Sequence, residues 1–282
     1  MTVAPTGGFL TRRDTPYVPL TPAEIADDVA ECYAAGAAVA ALHARRPDGR
    51  ATCDPAVYRE INEGTRRRCD IVVNNSTGGG LDGDLLGPGG PARQETLLDR
   101  REAAIAAGAD ICSVNAMTVL ASTAHGDVLM STSPRQAADL AGRMKALGIK
   151  PEWEAFSPAH LDPDISLLSR GEPRPWIGLC FGLHRVFQGA VPFSPRTLQY
   201  MVDLLPPCEF SVSCRDDDQL AAIAMSVLLG GHVRVGLEDA VRDPGGRLRS
   251  NVWFVERAVR MLRELGCEPA TPAEARRMLD LS

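Results

Sequence analysis

The chain predicts one (β/α)8 barrel over residues 1–282, and three observations lead there. Eight short apolar, β-rich runs alternate with longer amphipathic stretches, proline-marked helix starts fall between them, and no repeat or linker divides the chain. Strands alternating with helices build a parallel sheet. Eight such units with little left over close into a barrel rather than an open doubly wound sheet. A chain of 282 residues is also long enough to bury a large core in one domain.

Taken in order, the expected strands are 2–5, 37–42, 70–74, 110–114, 150–155, 176–181, 209–213 and 233–235. After the first, Thr21-Pro22-Ala23-Glu24 is a capping box with proline at the first helical position. The second ends at His43. The third leads into Ser76-Thr77-Gly78-Gly79-Gly80 and the longest irregular region, 78–91, which holds seven glycines and two prolines. Loops of that length in a compact domain tend to be functional. Asn115 and Thr118 follow the fourth strand, and Ser133-Pro134 opens the next helix. Glu152 and Glu154 lie in the fifth strand, where one of them is expected to face the barrel interior. Ser194-Pro195 starts the helix after the sixth. Asn251 is expected to cap a helix that runs to Leu265 and ends at Gly266, with Val252, Val255, Val259 and Leu262 as its buried stripe. Thr271-Pro272-Ala273-Glu274 opens a last short helix with another capping box.

Composition narrows the function. Thirty-six acidic against 30 basic residues give a net charge of −6, with no basic patch to suit nucleic acid. No apolar run approaches a membrane span, and residues 1–20 lack the apolar core of a signal peptide. Eight cysteines without CxxC spacing predict reduced thiols and a cytoplasmic setting.

The chemistry concentrates at residues 230–239, Gly-Gly-His-Val-Arg-Val-Gly-Leu-Glu-Asp. A short buried strand stops at Gly236 and presents Glu238 beside Asp239, with Arg234 four and five residues upstream. Carboxylates at the C-terminal end of a barrel strand can divide metal binding from proton transfer; otherwise they are solvated turn acids. His43, at the end of the second strand, is either a metal ligand or proton shuttle, or a structural histidine. The Ser76 to Gly80 stretch is either an anion cradle of backbone N–H groups or a loose loop start. His232 belongs at the opposite end of the barrel. His125 reads as structural, and His160 stays open.

These pieces, in this order, resemble the β-keto acid cleavage enzymes, the group that includes 3-keto-5-aminohexanoate cleavage enzyme. The resemblance covers nearly the whole chain. It runs through Ala4-Pro5-Thr6-Gly7-Gly8, Leu42-His43-Ala44-Arg45, Asn75-Ser76-Thr77-Gly78-Gly79, Gly148-Ile149-Lys150-Pro151-Glu152 and the 230–239 string. It implies a TIM barrel, commonly a homotetramer, holding a divalent metal, typically zinc. The implied reaction condenses a small β-keto acid with acetyl-CoA, giving acetoacetate and a new acyl-CoA by a Claisen and retro-Claisen route. Carried onto this chain, Asp239 is the general base oriented by Arg234, with Glu154 a further catalytic carboxylate. His43 and Glu238 are metal ligands. Ser76, Thr77, Gly78 and Thr118 hold substrate oxygens, and Arg45 supplies a supporting ion pair at the substrate site.

Two departures shape the expectation. Ala41 stands where the family has a histidine, leaving His43 and Glu238 of a ligand set that needs three, so a weak or partly occupied metal site is expected. Asn74, Asn115 and His160 are substitute ligands to consider. After the seventh strand, Cys214-Arg215-Asp216-Asp217-Asp218 replaces a glycine-rich segment, and three aspartates there would repel coenzyme A phosphates. Phe9, where amine-binding members carry an acid, argues against an amino-bearing keto acid. The competing readings are a coenzyme A-independent keto acid lyase on the same barrel and a metal-deficient, non-catalytic paralogue.

Overall fold

The computed structural model describes residues 1–88, 94–123, 126–215 and 219–281. Eight parallel strands close into a barrel, each at its expected place: β1 (Thr2–Val3), β2 (Val39–Leu42), β3 (Val72–Ser76), β4 (Ile111–Asn115), β5 (Lys150–Ala155), β6 (Trp176–Phe181), β7 (Glu209–Cys214) and β8 (His232–Val235). Chain order is ring order, so β1 pairs with both β2 and β8. Compared with the sequence expectation, β3 starts and ends two residues later. Ser76 therefore finishes a strand, and Asn115 likewise ends β4.

The helices around the ring begin where the capping signals lie. Among the longer helices, α1 (Pro22–Ala34), α2 (Pro55–Arg66), α3 (Pro134–Ala146), α4 (Pro195–Asp203), α5 (Gln219–Leu228), α6 (Asn251–Glu264) and α7 (Pro272–Met278), complete capping boxes at Thr21, Ser133 and Thr271 open α1, α3 and α7. Apolar side chains between strands and helices form the main core. A smaller cluster plugs the barrel floor, where Val39, Val72, Ile111 and Trp176 meet Ala275 and Leu279 at the end of α7.

Two expectations change. The helix after β8 spans Asn251–Glu264, but its cap is Ser250, whose hydroxyl accepts from the Trp253 N–H. Asn251 is fully buried instead. Its Oδ1 accepts from the Leu237 N–H at 2.8 Å and its Nδ2 donates to the Pro5 carbonyl at 3.1 Å. It thereby ties the exit of β1 to the exit of β8. The 78–91 region is not a single loop, because Gly83–Leu85 form a 3-10 turn and Leu86–Pro88 a strand. That strand joins Gln94–Thr96, Gly126–Met130 and Val119–Thr123 in a four-stranded sheet the sequence pattern did not reveal. Residues 89–91 and His125 lie outside the described residues.

Among the described residues, no helix is long and apolar enough to cross a membrane. All eight cysteines are thiols.

Replacing Asn251 with alanine should lower the unfolding free energy by roughly 2–4 kcal/mol, since it leaves a buried N–H and a buried carbonyl unpaired. Ser250→Ala should cost only about 1 kcal/mol, the ordinary value of a helix cap. Urea denaturation of both variants checks this, and equal small losses would return Asn251 to the role of a cap.

Candidate active site

Strand parity decides which side chains reach the mouth. Residues two apart on a strand share a face, so β3 sends Val72, Asn74 and Ser76 the same way, and β5 sends both Glu152 and Glu154 inward. The expectation that only one glutamate faces in is therefore wrong: residues i and i+2 cannot separate. Gly178 confirms the shared face, since a Cβ placed there would meet Glu152 and Glu154 alike. The cleft at the C-terminal mouth takes one side chain from each of seven successive strand ends: His43, Ser76, Asn115, Glu154, Cys180, Ser213 and Arg234. Beneath them the interior is polar and small, with Asn74 donating to Glu152 Oε2 at 2.6 Å.

Arg234 is the centre of this constellation. Its Nε lies 3.0 Å from Asp239 Oδ2, its Nη2 lies 2.9 Å from Glu238 Oε1, and its Nη1 lies 3.9 Å from Glu154 Oε1. The side chain is about 10 % exposed. One buried cation thus faces several buried and half-buried acids, and burial, its contacts and their mutual repulsion divide the protons among them. Burial alone would raise the Glu238 pKa, but Arg234 and His43 outweigh it and hold that carboxyl well below the usual range. Glu154 is pushed up to about 8 by burial and then by its neighbour Glu152, with Arg234 only partly opposing. Burial also raises Glu152 and Asp239 above their ordinary values.

His43 Nδ1 donates to the Gly79 carbonyl at 2.7 Å. Its Nε2 faces Glu238 Oε1 across 3.3 Å, a gap filled by one proton or one metal ion. Glu238 Oε2 is buried without a hydrogen-bond partner among the described residues. Two ligand atoms and an orphaned carboxylate oxygen fit a divalent cation held by two protein groups. Among the described residues, no cluster of three His, Cys, Asp or Glu side chains could hold one. Of the substitute ligands, Asn74 is engaged with Glu152, and His160 Nδ1 accepts the Phe156 N–H at 3.1 Å. Asn115 does line the cleft.

The segment after β1 completes the wall. Gly7 adopts φ +66°, and a Cβ on it would sit 2.6 Å from the Glu238 Cγ, so the loop lies directly on that carboxylate. Arg45, expected at the substrate, is 3 % exposed and donates to the carbonyls of Gly7, Leu10 and Gly49. It clasps the loop that carries Phe9 and does not line the cleft. Two more expected substrate contacts are engaged elsewhere. The Thr77 hydroxyl donates to the Ser113 carbonyl at 2.6 Å, and Thr118 is exposed, its hydroxyl accepting the Thr132 N–H at 3.0 Å. Ser76 and Gly78 do line the cleft, and the Ser76 Oγ accepts from the Gly79 N–H. Sequence reading missed Tyr58, whose buried hydroxyl bridges the carbonyls of Leu42 and Ser76 at the ends of β2 and β3. It also missed the aromatic side of the cleft, where Phe187 packs against Phe9 and Phe156 with ring centres 6.4 and 5.4 Å apart. His232 sits at the far end as expected, paired with Glu209 at 2.9 Å. Asp216, Asp217 and Asp218 lie outside the described residues.

Comparison with known proteins places this geometry in context. The profile of a family described as beta-keto acid cleavage enzyme matches residues 1–281. A 3-dehydrocarnitine:acetyl-CoA trimethylamine transferase from Rhizobium meliloti is 33% identical, aligned over 100% of this chain and 96% of the relative. A 3-keto-5-aminohexanoate cleavage enzyme from Acetoanaerobium sticklandii is 30% identical over 100% and 98%. Among solved structures, the binary complex of ObcA with oxaloacetate shares the fold at a TM-score of 0.72 and 21% identity. That match covers 95% of this chain and 68% of ObcA.

Removing the central cation should be costly. Arg234→Met should destabilise the protein by roughly 3–5 kcal/mol near neutral pH, because it strands buried carboxylates. Glu238 has a folded pKa below its ordinary 4.5, so its pairing contributes fully above that value and is lost as pH falls through the depressed one. The difference between wild type and variant should therefore narrow below about pH 4.5 in denaturation series across pH. A gap that stays constant would show that Arg234 stabilises by packing alone.

Proposed function

The chain belongs to the beta-keto acid cleavage enzyme family, and on that premise we propose that it condenses a small β-keto acid with acetyl-CoA to give acetoacetate and a new acyl-CoA. The observation that carries this reading is the buried Arg234 cluster, in which Glu238 stays ionised while Glu154 keeps its proton at the same mouth. A barrel with no catalytic duty has no need of such a cluster, which disfavours the non-catalytic alternative. Relatives matched over the whole chain are named as acetyl-CoA transferases, which favours this reaction over a coenzyme A-independent lyase.

Asp239 is the base. It removes a proton from C2 of the keto acid, and C2 then attacks the thioester carbonyl of acetyl-CoA, forming a carbon–carbon bond and releasing coenzyme A thiolate. The thiolate attacks the original keto carbon, and the bond from that carbon to C2 breaks. The products are an acyl-CoA and the acetoacetate carbanion, which recovers its proton from Asp239. Arg234 holds Asp239 in place through its Nε and Nη2. Glu154, protonated at neutral pH, donates a hydrogen bond where oxyanion charge develops, and such preorganised donors lower the barrier most where water is excluded. The Ser76 hydroxyl and the Gly78 backbone N–H receive the C1 carboxylate, since the Gly79 and Gly80 N–H groups bond to Ser76 Oγ and the Gly78 carbonyl. Arg45, Thr77 and Thr118 act through the backbone they fix.

His43 and Glu238 would hold a divalent cation, zinc by family resemblance, which when bound supplies Lewis-acid polarisation of the substrate oxygens. With Ala41 in place of a third ligand, the site binds such a metal weakly. The cytoplasmic setting agrees with eight reduced thiols, and a homo-oligomer, tetrameric by resemblance, belongs to the same reading.

Asp239→Asn should lower turnover by about 10²–10⁴-fold, the usual worth of a positioned base, with little change in melting temperature; wild-type rates would move the role elsewhere. Glu154 and the groups around it (Glu152, Arg234, Glu238 and Asp239) predict a pH effect. Its proton is lost as pH rises through about 8, so kcat should fall on that limb, and Glu154→Gln should be slower and lack the limb. Ala41→His should retain zinc against a chelator at higher concentration than wild type, read by metal analysis. Equal retention would point to a third protein ligand already in place.

A further inference from the structure

Arg215 stands at the exit of β7, on the side of the mouth opposite Ser76. In a ring of eight strands, β3 and β7 lie four places apart in either direction, so the two residues face each other across the cleft they both line. The backbone of Arg215 is fixed. Its N–H donates to the Phe181 carbonyl at 3.0 Å, and Gly182, at φ +83°, leaves the space its own carbonyl occupies, where any Cβ would collide. Its guanidinium lies over the Phe9 ring, 5.2 Å from the centroid, and Phe9 is itself held by the loop that Arg45 clasps. Both partners of this stack are preorganised.

The two arginines of the cleft differ in one decisive way. Arg234 is saturated by Glu238 and Asp239. Arg215 is half-buried and makes no ion pair among the described residues; Asp239 feels its charge without pairing with it, being already held by Arg234. A fixed, partly desolvated guanidinium that makes no ion pair among the described residues favours an incoming carboxylate, which it can bind through two parallel hydrogen bonds. The same charge excludes an ammonium group from the Phe9 ring face it covers, leaving the rings of Phe9 and Phe187 to line the path for a methylene chain.

We infer that Arg215 is a specificity residue that receives a second, distal carboxylate of the keto acid, so that the substrate class is a 3-oxo diacid. This rests on the reading above, in which the C1 carboxylate lies at Ser76 and the reacting carbons lie between the two anchors.

The test compares a 3-oxo diacid with the 3-oxo monoacid of equal chain length, as kcat/KM with saturating acetyl-CoA. Wild type should prefer the diacid by about 10–100-fold, the range for one charge-assisted bidentate contact. In Arg215→Met that ratio should collapse toward one, and Arg215→Lys should recover part of it. Equal losses for both acids would overturn the inference and assign Arg215 to the C1 carboxylate or to the acyl donor. No diacid preference in wild type would also overturn it. If neither acid yields acetoacetate, the reaction reading fails, and calorimetric binding of the diacid without acetyl-CoA still decides the matter. Tighter binding to wild type than to Arg215→Met, with the monoacid indifferent, supports the subsite; indifference to both acids refutes it.

Discussion

A single guanidinium organises the mouth of this barrel. Arg234 points inward from β8 among Glu152 and Asp239, which are buried, and Glu154 and Glu238, which are half-buried at the cleft. One positive charge cannot compensate four negative ones where water is scarce, and each uncompensated ion costs several kcal/mol. The acids therefore differ in protonation because burial, contact with the cation and repulsion from one another fall on them unequally. Glu238, at 2.9 Å and also facing His43, keeps its charge, whereas Glu154, at 3.9 Å and crowded by Glu152, keeps its proton. An acceptor and a donor arise side by side from one side-chain type, which is what proton removal and oxyanion stabilisation require of neighbouring groups.

The surrounding structure serves to hold those distances. Asn251 bonds the exits of β1 and β8, so the segment bearing Glu238 cannot shift against the loop resting on it. Tyr58 performs the same service for β2 and β3, whose ends deliver His43 and Ser76. Arg45 is a useful contrast with Arg234. It is equally buried, but its hydrogen-bond partners are backbone carbonyls, which do not titrate, so it fixes a loop and makes no ion pair with the acids. The loop it fixes carries Phe9, and through Phe9 the aromatic wall and Arg215 come under the same control.

Much of this was legible from the residues. The eight strands follow from apolar runs bounded by helix caps, and His43, Ser76, Glu154, Arg234, Glu238 and Asp239 meet because strand ends in a barrel must meet. What was not legible depends on tertiary partners. Arg45 beside His43 looks like a substrate contact in one dimension, and only the returning N-terminal loop reveals its three carbonyls. Asn251 looks like a cap because it begins a helix, yet its burial against Pro5 spans 246 residues of chain. The small mouth sheet escaped because its strands are short and two of them carry a glycine, and the buried alternation of Val119, Ala121, Val128 and Met130 has no matching polar alternation in the sequence. The error over Glu152 and Glu154 was different in kind: parity places both inward, and the sequence alone contains that answer.

The claim that one arginine splits these carboxyls into ionised and protonated groups can be observed without any substrate. Selective ¹³C labelling of glutamate carboxyls, with Glu154→Gln and Glu238→Gln used for assignment, allows each to be followed by NMR across pH. The account predicts a Glu154 carboxyl that is still largely protonated at neutral pH and titrates near 8, beside a Glu238 carboxyl ionised throughout the accessible range. Two carboxyls titrating together in the ordinary acidic range would contradict it.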